Sequence, residues 1–410
     1  MLSGASILCF APDPWDDIWR NRHQIMSLLA ERNRVLYVEP RPYLRAVVRG
    51  LLQGEIPWAK LWAPRLTPVK PGLHVFHPPL YAPISGRPPL STVTAALRSA
   101  ALRRAMGRLG LEGPILWLFR PDMADIPGHY GERLLIYHIV DEYLGYADVD
   151  AARAEDIRRR EGELIARADL VLVTSRALWE SKGGINPHIH WVPNGVDYER
   201  FIAAQAEGRE PQALAGLPRP RIVYVGAIND KLDAALLLRV ARAYPQWPLI
   251  LVGPLRATTP EVCRDLEALR ACPNVRFIGQ VGVEEVPYWM AACDVGLLPY
   301  RQNAWTRHIH PLKLYEYLAC GLPVVATAIP SLMDEADVLY IAGEGEEFVA
   351  AIGAALAEAQ GAAGEALRAQ RRARAACNTW RQRVERISRL IYETAQAKGL
   401  DGLGWVEGGS

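Results

Sequence analysis

The run His310-Pro311-Leu312-Lys313-Leu314-Tyr315-Glu316-Tyr317-Leu318-Ala319-Cys320-Gly321-Leu322-Pro323-Val324-Val325 reads as a short helix that stops and turns directly into a strand. Proline at 311 suits a first helical turn, where a backbone N–H has no intrahelical partner to lose. Cys320-Gly321-Leu322-Pro323 supplies the stop, because glycine accepts the left-handed conformation of a helix end and proline cannot continue a helix. Residues 323–326 then read as a buried strand. A helix handing over to an apolar strand is the repeating unit of an open parallel sheet.

The same alternation extends in both directions. Apolar runs at 6–10, 35–38, 115–119, 134–139 and 170–174 read as strands, with helical periodicity at 20–32, 93–109 and 151–167 between them. Residues 203–219, rich in Ala, Gly, Pro and charge, read as a linker. Strands resume at 221–225, 249–252, 275–278 and 295–298, and 345–398 is helical throughout. The fold class expected is α/β, two Rossmann-like parallel-sheet domains facing across a cleft. A chain of 410 residues suits two cores. The expected division is 1–202, a linker at 203–219, 220–377, and a last segment 378–410 whose helix crosses back to the first domain before a loose tail at 399–410.

Composition narrows the function classes. Half the residues are hydrophobic and 22% are charged, the balance of a globular protein, and a net charge of +2 gives no argument for nucleic acid. Six cysteines stand without CxxC spacing, which fits a reducing compartment. No leader pattern opens the chain and no run of about 18 apolar residues occurs, so a cytoplasmic setting is expected.

Two segments carry chemistry. Lys313 and Glu316 are three apart and share one helix face, where an ammonium and a carboxylate reach a diphosphate and a ribose diol. The alternative is a solvated ion pair. Tyr224-Val225-Gly226-Ala227-Ile228-Asn229-Asp230-Lys231 reads as a strand, a glycine turn and a helix start capped by Asp230. Glycine admits close approach of a ligand to the backbone, and Lys231 adds a cation beside it. Strand-glycine-helix turns are also common without any ligand.

With these residues quoted, the chain resembles the retaining GT-B glycosyltransferases of family four, the group 1 glycosyl transferases, and particularly bacterial enzymes of teichuronic-acid and related polysaccharide synthesis. Further matches are Val192-Pro193-Asn194-Gly195-Val196-Asp197, Ala168-Asp169-Leu170-Val171-Leu172-Val173-Thr174-Ser175 and Tyr137-His138-Ile139-Val140-Asp141-Glu142. The resemblance covers roughly residues 5 to 340. It implies that Glu316 holds the nucleotide ribose and that Lys313 and Lys231 meet the donor diphosphate beside Gly226. It also implies two departures: Ala227 stands where the family has arginine, and His308 stands where it has its first acid, eight residues before Glu316. His308, His310, Pro311 and Leu312 then form the loop facing the donor sugar. His308 and His310 lack a third ligand at useful spacing, so no metal and no other cofactor is expected.

In the first domain His138 and Asp141 end a strand at the expected cleft, where related enzymes set a histidine or acid against the donor sugar. They read equally as interior residues. Asp13, Trp15, Arg20, Arg22 and His23, in and after the first strand-to-helix loop, and Arg120 are the acceptor-side candidates. The implied reaction moves a sugar from a nucleoside diphosphate sugar to an acceptor hydroxyl of a glycan or lipid-linked precursor, with retention. Lys231, Lys313, His138 and Asp141 are the catalytic candidates. Two rivals remain, a sugar-nucleotide epimerase or hydrolase on the same fold and a non-catalytic homologue that binds the donor.

Charge is unevenly placed along the chain. The stretch opening on Arg41 and closing on Arg108 holds eleven Arg or Lys against one acid, Glu55, interleaved with apolar side chains. It reads as a surface for an anionic membrane face, making the protein peripheral, or as a solvated basic face.

Overall fold

The computed structural model describes residues 1–63, 65–86, 88–145, 150–343, 345–360 and 364–406. Among them the strands form an eight-stranded sheet, a six-stranded sheet and a two-strand pairing. The first sheet runs Leu66–Lys70, Leu73–Phe76, Arg34–Val38, Ser6–Phe10, Ile115–Leu118, Leu134–Ile139, Leu170–Val173 and Ile189–Trp191 in space. Its edge hairpin Leu66–Lys70 is antiparallel and the other neighbours are parallel. The second runs Val275–Gly279, Leu249–Val252, Ile222–Val225, Val295–Leu298, Val324–Thr327 and Tyr340–Ala342, all parallel. The inner strands, such as Ser6–Phe10, Leu134–Ile139, Ile222–Val225 and Val324–Thr327, are buried on both faces, which explains why they read as continuous apolar runs rather than alternating ones.

Strand order decides where a ligand can sit. In each sheet the chain starts near the middle, winds to one side, then returns to the other, leaving a crevice where the order reverses. In the first sheet that crevice lies beyond Phe10 and Leu118; in the second, beyond Val225 and Leu298. The two crevices face each other.

The boundary between the domains differs from the expected linker. Tyr198–Glu207 is helical, and Val196, Phe201 and Leu214 pack into the second domain's core. Arg221 is buried and donates to the Leu214 and Leu217 carbonyls at 3.1 and 2.8 Å, winding 208–217 onto that domain. The charge and glycine of the stretch hide Leu214 and Leu217, which pack on that core just after Phe201. The chain changes domain near Val196 instead.

The return crossing lies beside it. The Val196 N–H donates to the Asn378 carbonyl and the Trp380 N–H to the Val196 carbonyl, both at 3.0 Å. The helix Trp380–Ala397 begins there in a capping box between Thr379 and Gln382. Its Trp380, Val384, Ile387 and Ile391 join the core of the first domain. Beyond it the tail is not loose throughout: Gly404–Trp405 pairs antiparallel with Leu2–Ser3. Residues 407–410 of that tail lie outside the described residues.

Candidate active site between the two domains

The helix at 313 is built as its sequence suggests at one end and differently at the other. Gly321, at φ +69°, closes it: the Gly321 N–H reaches the Leu318 carbonyl at 2.8 Å and the Leu322 N–H reaches the Tyr317 carbonyl at 3.2 Å. The helix spans Lys313–Ala319, so Pro311 precedes it rather than filling its first turn. Lys313 Nζ lies 2.6 Å from Glu316 Oε2, and both side chains are 15% exposed. This is a pairing inside a cleft rather than on an open surface.

The glycine turn opposite also departs from expectation. Asp230 is not a cap; it accepts from the Thr258 and Thr259 N–H groups at 3.1 and 2.9 Å. The helix starts at Ala234, capped by Asp233, whose Oδ1 accepts from Leu236 N at 2.8 Å. Lys231 therefore stands on a loop. Gly226, at φ +151°, and Gly253 pass so closely that a Cβ on Gly253 would lie 1.9 Å from the Gly226 oxygen. Neither position tolerates a side chain, and the backbone stays open to a ligand.

A cavity of about 290 Å³ lies between these elements and the first domain. Asp13, Arg20, Arg22, Arg120 and Asp141 line it from the first domain; Gly226, Ala227, Lys231, His310, Pro311, Leu312 and Lys313 line it from the second. A neighbouring cavity of about 250 Å³ shares Ile18, Trp19 and Lys313 with it and is walled by Glu316 and the loop from Gln280 to Val283. Lys313 sits where the two meet, and Glu316 faces the outer one.

Charge in the inner cavity is already paired. Lys231 Nζ meets Asp141 Oδ2 at 2.9 Å and lies 4.4 Å from the centre of the Trp305 ring. The Trp305 Nε1–H donates to Asp141 Oδ1 at 3.0 Å. Arg22 pairs with Asp13, and Arg20 approaches the same carboxylate at 3.4 Å. Between the outer rims, Arg256 Nη2 meets Asp17 Oδ1 at 2.6 Å across the domains. Burial works against ionising Asp17, but the Arg256 guanidinium and the Ile18 N–H together outweigh it and hold the carboxyl below its usual range.

Four sequence candidates are not brought to the cavity. His138 is 1% exposed, stacked on Phe119 at 5.2 Å, and neither ring nitrogen has a hydrogen-bond partner. Burial, with a smaller contribution from Arg22, pushes its pKa down to about 3 and keeps it neutral. It forms the wall behind the site. Trp15 and His23 belong to an aromatic cluster with Trp19 and Tyr37. His23 Nδ1 accepts from the Arg20 N–H at 3.0 Å, so this ring shapes the loop instead of facing an acceptor. His308 turns away: its Nδ1 contacts the Ala304 carbonyl at 2.9 Å, and its own carbonyl accepts from Ser175 Oγ at 2.6 Å.

The structure adds residues that the sequence reading passed over. Asn194, 7% exposed, donates from Nδ2 to the His310 carbonyl at 2.7 Å while its Oδ1, in the cavity wall, is without a partner. Its position in Pro193-Asn194-Gly195 was the available signal. Trp19 and Ile18, lining both cavities, follow two aspartates in the first loop and carry no motif.

Similarity to known proteins follows the same division. Over 96% of this chain the fold matches all of a sucrose-phosphate synthase from Thermosynechococcus elongatus, at 18% identity and a TM-score of 0.71. It matches 99% of Anabaena HepE, solved in complex with UDP-glucose, over 95% of this chain at 17% identity and a TM-score of 0.64. The protein has the two-domain GT-B fold. Residues 219–358, within the second domain, match the family model for Glycosyl transferases group 1, in line with the group resemblance drawn from its sequence.

Among curated proteins, 183 residues are 34% identical to a Bacillus subtilis protein described as a teichuronic acid biosynthesis glycosyltransferase, TuaH, covering 44% of this chain and 45% of that one. A phosphatidyl-myo-inositol mannosyltransferase of Propionibacterium freudenreichii is 27% identical over 157 residues, 37% of this chain and 35% of that one. The matched stretch is thus less than half the length of either relative.

Proposed function

We propose that the protein is a glycosyltransferase that moves a sugar from a nucleoside diphosphate sugar to an acceptor hydroxyl with retention of configuration. The observation that carries this reading is the approach of Lys231 and Lys313, from separate segments, to one cavity floored by Gly226. Such an arrangement suits a diphosphate, with Glu316 left for the ribose in the adjoining cavity. As the anomeric C–O bond breaks, the nucleoside diphosphate departs with the electron pair, and the two ammonium groups stabilise the charge it gains. The acceptor oxygen forms the new bond on the same face, and its proton passes to the leaving phosphate oxygen. No residue need act as a covalent nucleophile, and no metal or other cofactor is assigned.

The donor in the HepE complex is UDP-glucose, which makes uridine diphosphate sugars, and hexoses in particular, the first donors to try. A thermal-shift screen over nucleoside diphosphate sugars tests binding, since a matched donor raises the midpoint by mass action. Labelled donor then tests the reaction. Label that appears only in free or epimerised sugar, never on an added glycan or lipid-linked acceptor, would sink transfer in favour of hydrolysis or epimerisation.

A cytoplasmic, peripheral setting belongs to the same proposal. The helix Leu44–Leu52 exposes Val48 and Leu52, and Trp58 is 69% exposed, next to exposed Arg45, Arg49 and Lys60. Not all of the basic stretch is available: Arg41 pairs with Asp125, Arg98 donates to the Ala82 and Pro83 carbonyls, and Arg87 lies outside the described residues. Exposed apolar and basic groups on one helix suit an anionic membrane face. No described helix is long and apolar enough to span a membrane. Flotation with anionic vesicles should weaken as salt rises; equal recovery with neutral lipid would remove this part of the reading.

A further inference from the structure

We propose that a second cavity, on the hinge side of the domain interface, binds a phosphate-bearing small molecule with a body the size of a monosaccharide. It encloses about 540 Å³, within the range of ligand pockets. Its walls come from three parts of the chain. Arg176 and Trp191 belong to the first domain, Arg307, His310 and Tyr315 to the second, and Arg386 to the helix that crosses back.

The side chains in this cavity are differently committed. Arg176 is paired with Glu180 at 2.9 Å, and Arg383 donates to the Asn194 carbonyl and to Asn378 Oδ1. Of the acids, Glu335 is held by the Tyr315 hydroxyl at 2.7 Å and by Arg374. Asp334 also faces the cavity. The side chains of Arg307 and Arg386, in contrast, make no hydrogen bond or ion pair with a described residue. Two buried ring nitrogens, Trp191 Nε1 and His310 Nδ1, are likewise without partners, and His310 is only 8% exposed. Leaving such groups unmatched costs stability that a ligand would recover.

Two guanidinium forks on separate elements match the oxygens of a phosphate, which accepts paired N–H bonds from planar donors. The Trp191 and Tyr315 rings and Met333 give that phosphate a largely apolar wall for its body. Lys231, Lys313 and Gly226 lie on the other side of His310, so the site is separate from the diphosphate cavity and does not rest on the proposed reaction. Because its walls belong to both domains, occupancy holds them at one angle.

Titration calorimetry of the whole chain with glucose 6-phosphate, inorganic phosphate and glucose tests the site. Glucose 6-phosphate should bind more tightly than inorganic phosphate, and glucose should not bind. The double variant Arg307→Ala/Arg386→Ala should lose about tenfold or more in affinity for glucose 6-phosphate. Lys313→Ala, which alters only the diphosphate cavity, should leave it within about twofold. Both arginines are solvent-exposed, and Arg307→Gln checks the result with a milder change. The proposal is overturned by absence of binding at millimolar concentration, by equal binding of phosphate and its sugar ester, or by loss in Lys313→Ala with retention in the double variant.

Discussion

Lys313 and Lys231 reach the same cavity but are held in opposite ways. Lys313 pairs with Glu316 from its own helix, three residues on, so that pair travels as a unit whatever the domains do. Lys231 pairs with Asp141 from the other domain, under the Trp305 ring, so that pair exists only while the domains are together. One lysine is preset by local geometry; the other reports on closure. Under the proposed reaction, a diphosphate entering the cavity would compete with two carboxylates, and the competition would differ in kind. Displacing Glu316 rearranges one side chain, whereas displacing Asp141 loosens an interdomain contact.

Removing either ammonium should have the largest effect. Under the proposed reaction, Lys231→Ala and Lys313→Ala should each lower kcat by roughly 100- to 1000-fold, the usual loss when one donor to developing charge is deleted. Steady-state rates with a matched donor measure it; a drop of less than fivefold in both would break the assignment. Neutralising the carboxylates sharpens the contrast, because the two changes should carry opposite signs. Glu316→Gln should weaken UDP binding about tenfold by weakening the ribose contact. Asp141→Asn should strengthen it about threefold by releasing Lys231. Identical shifts in both variants, read by calorimetry, would show that the two pairs are equivalent after all.

The smallest effect separates the fold from the latch. His23, His138 and His310 have pKa values lowered by burial, to about 4, 3 and 3, from an ordinary value of 6.5. Unfolding lets each take a proton that the folded chain refuses, so their stabilising contribution is complete above pH 6.5 and is lost as the pH falls toward about 3. His138→Phe keeps a ring on Phe119 and removes one such proton. Its stability, from urea melts between pH 4 and 7, should fall less steeply than that of the parent by about 1 kcal/mol per pH unit. An unchanged slope would mean that His138 is not the neutral wall residue its burial indicates.

Legibility in the sequence followed the range of the interactions. The strands 134–139 and 249–252 and the helix at 151–167 were readable to the residue, because burial on both sheet faces and strong periodicity are properties of the chain itself. The stretch 203–219 was misread, since Leu214 and Leu217 become anchors only once the second domain exists to receive them. At the candidate site, the pairing of Lys313 with Glu316 was legible because one helix sets their spacing. His308 and His23 were not, since backbone carbonyls and amides decide where their rings turn. The Lys231–Asp141 pair joins residues ninety apart, and no local pattern announces it.

The twin crossings at Val196 and Trp380 set what the two halves can do. Had the chain passed between them once, each half would have been free to tumble about a tether. Two passages bonded to each other instead join the halves at one seam, where the two strands of chain are held side by side. Opening the Lys231–Asp141 contact should therefore bend the chain at both crossings together rather than at one tether.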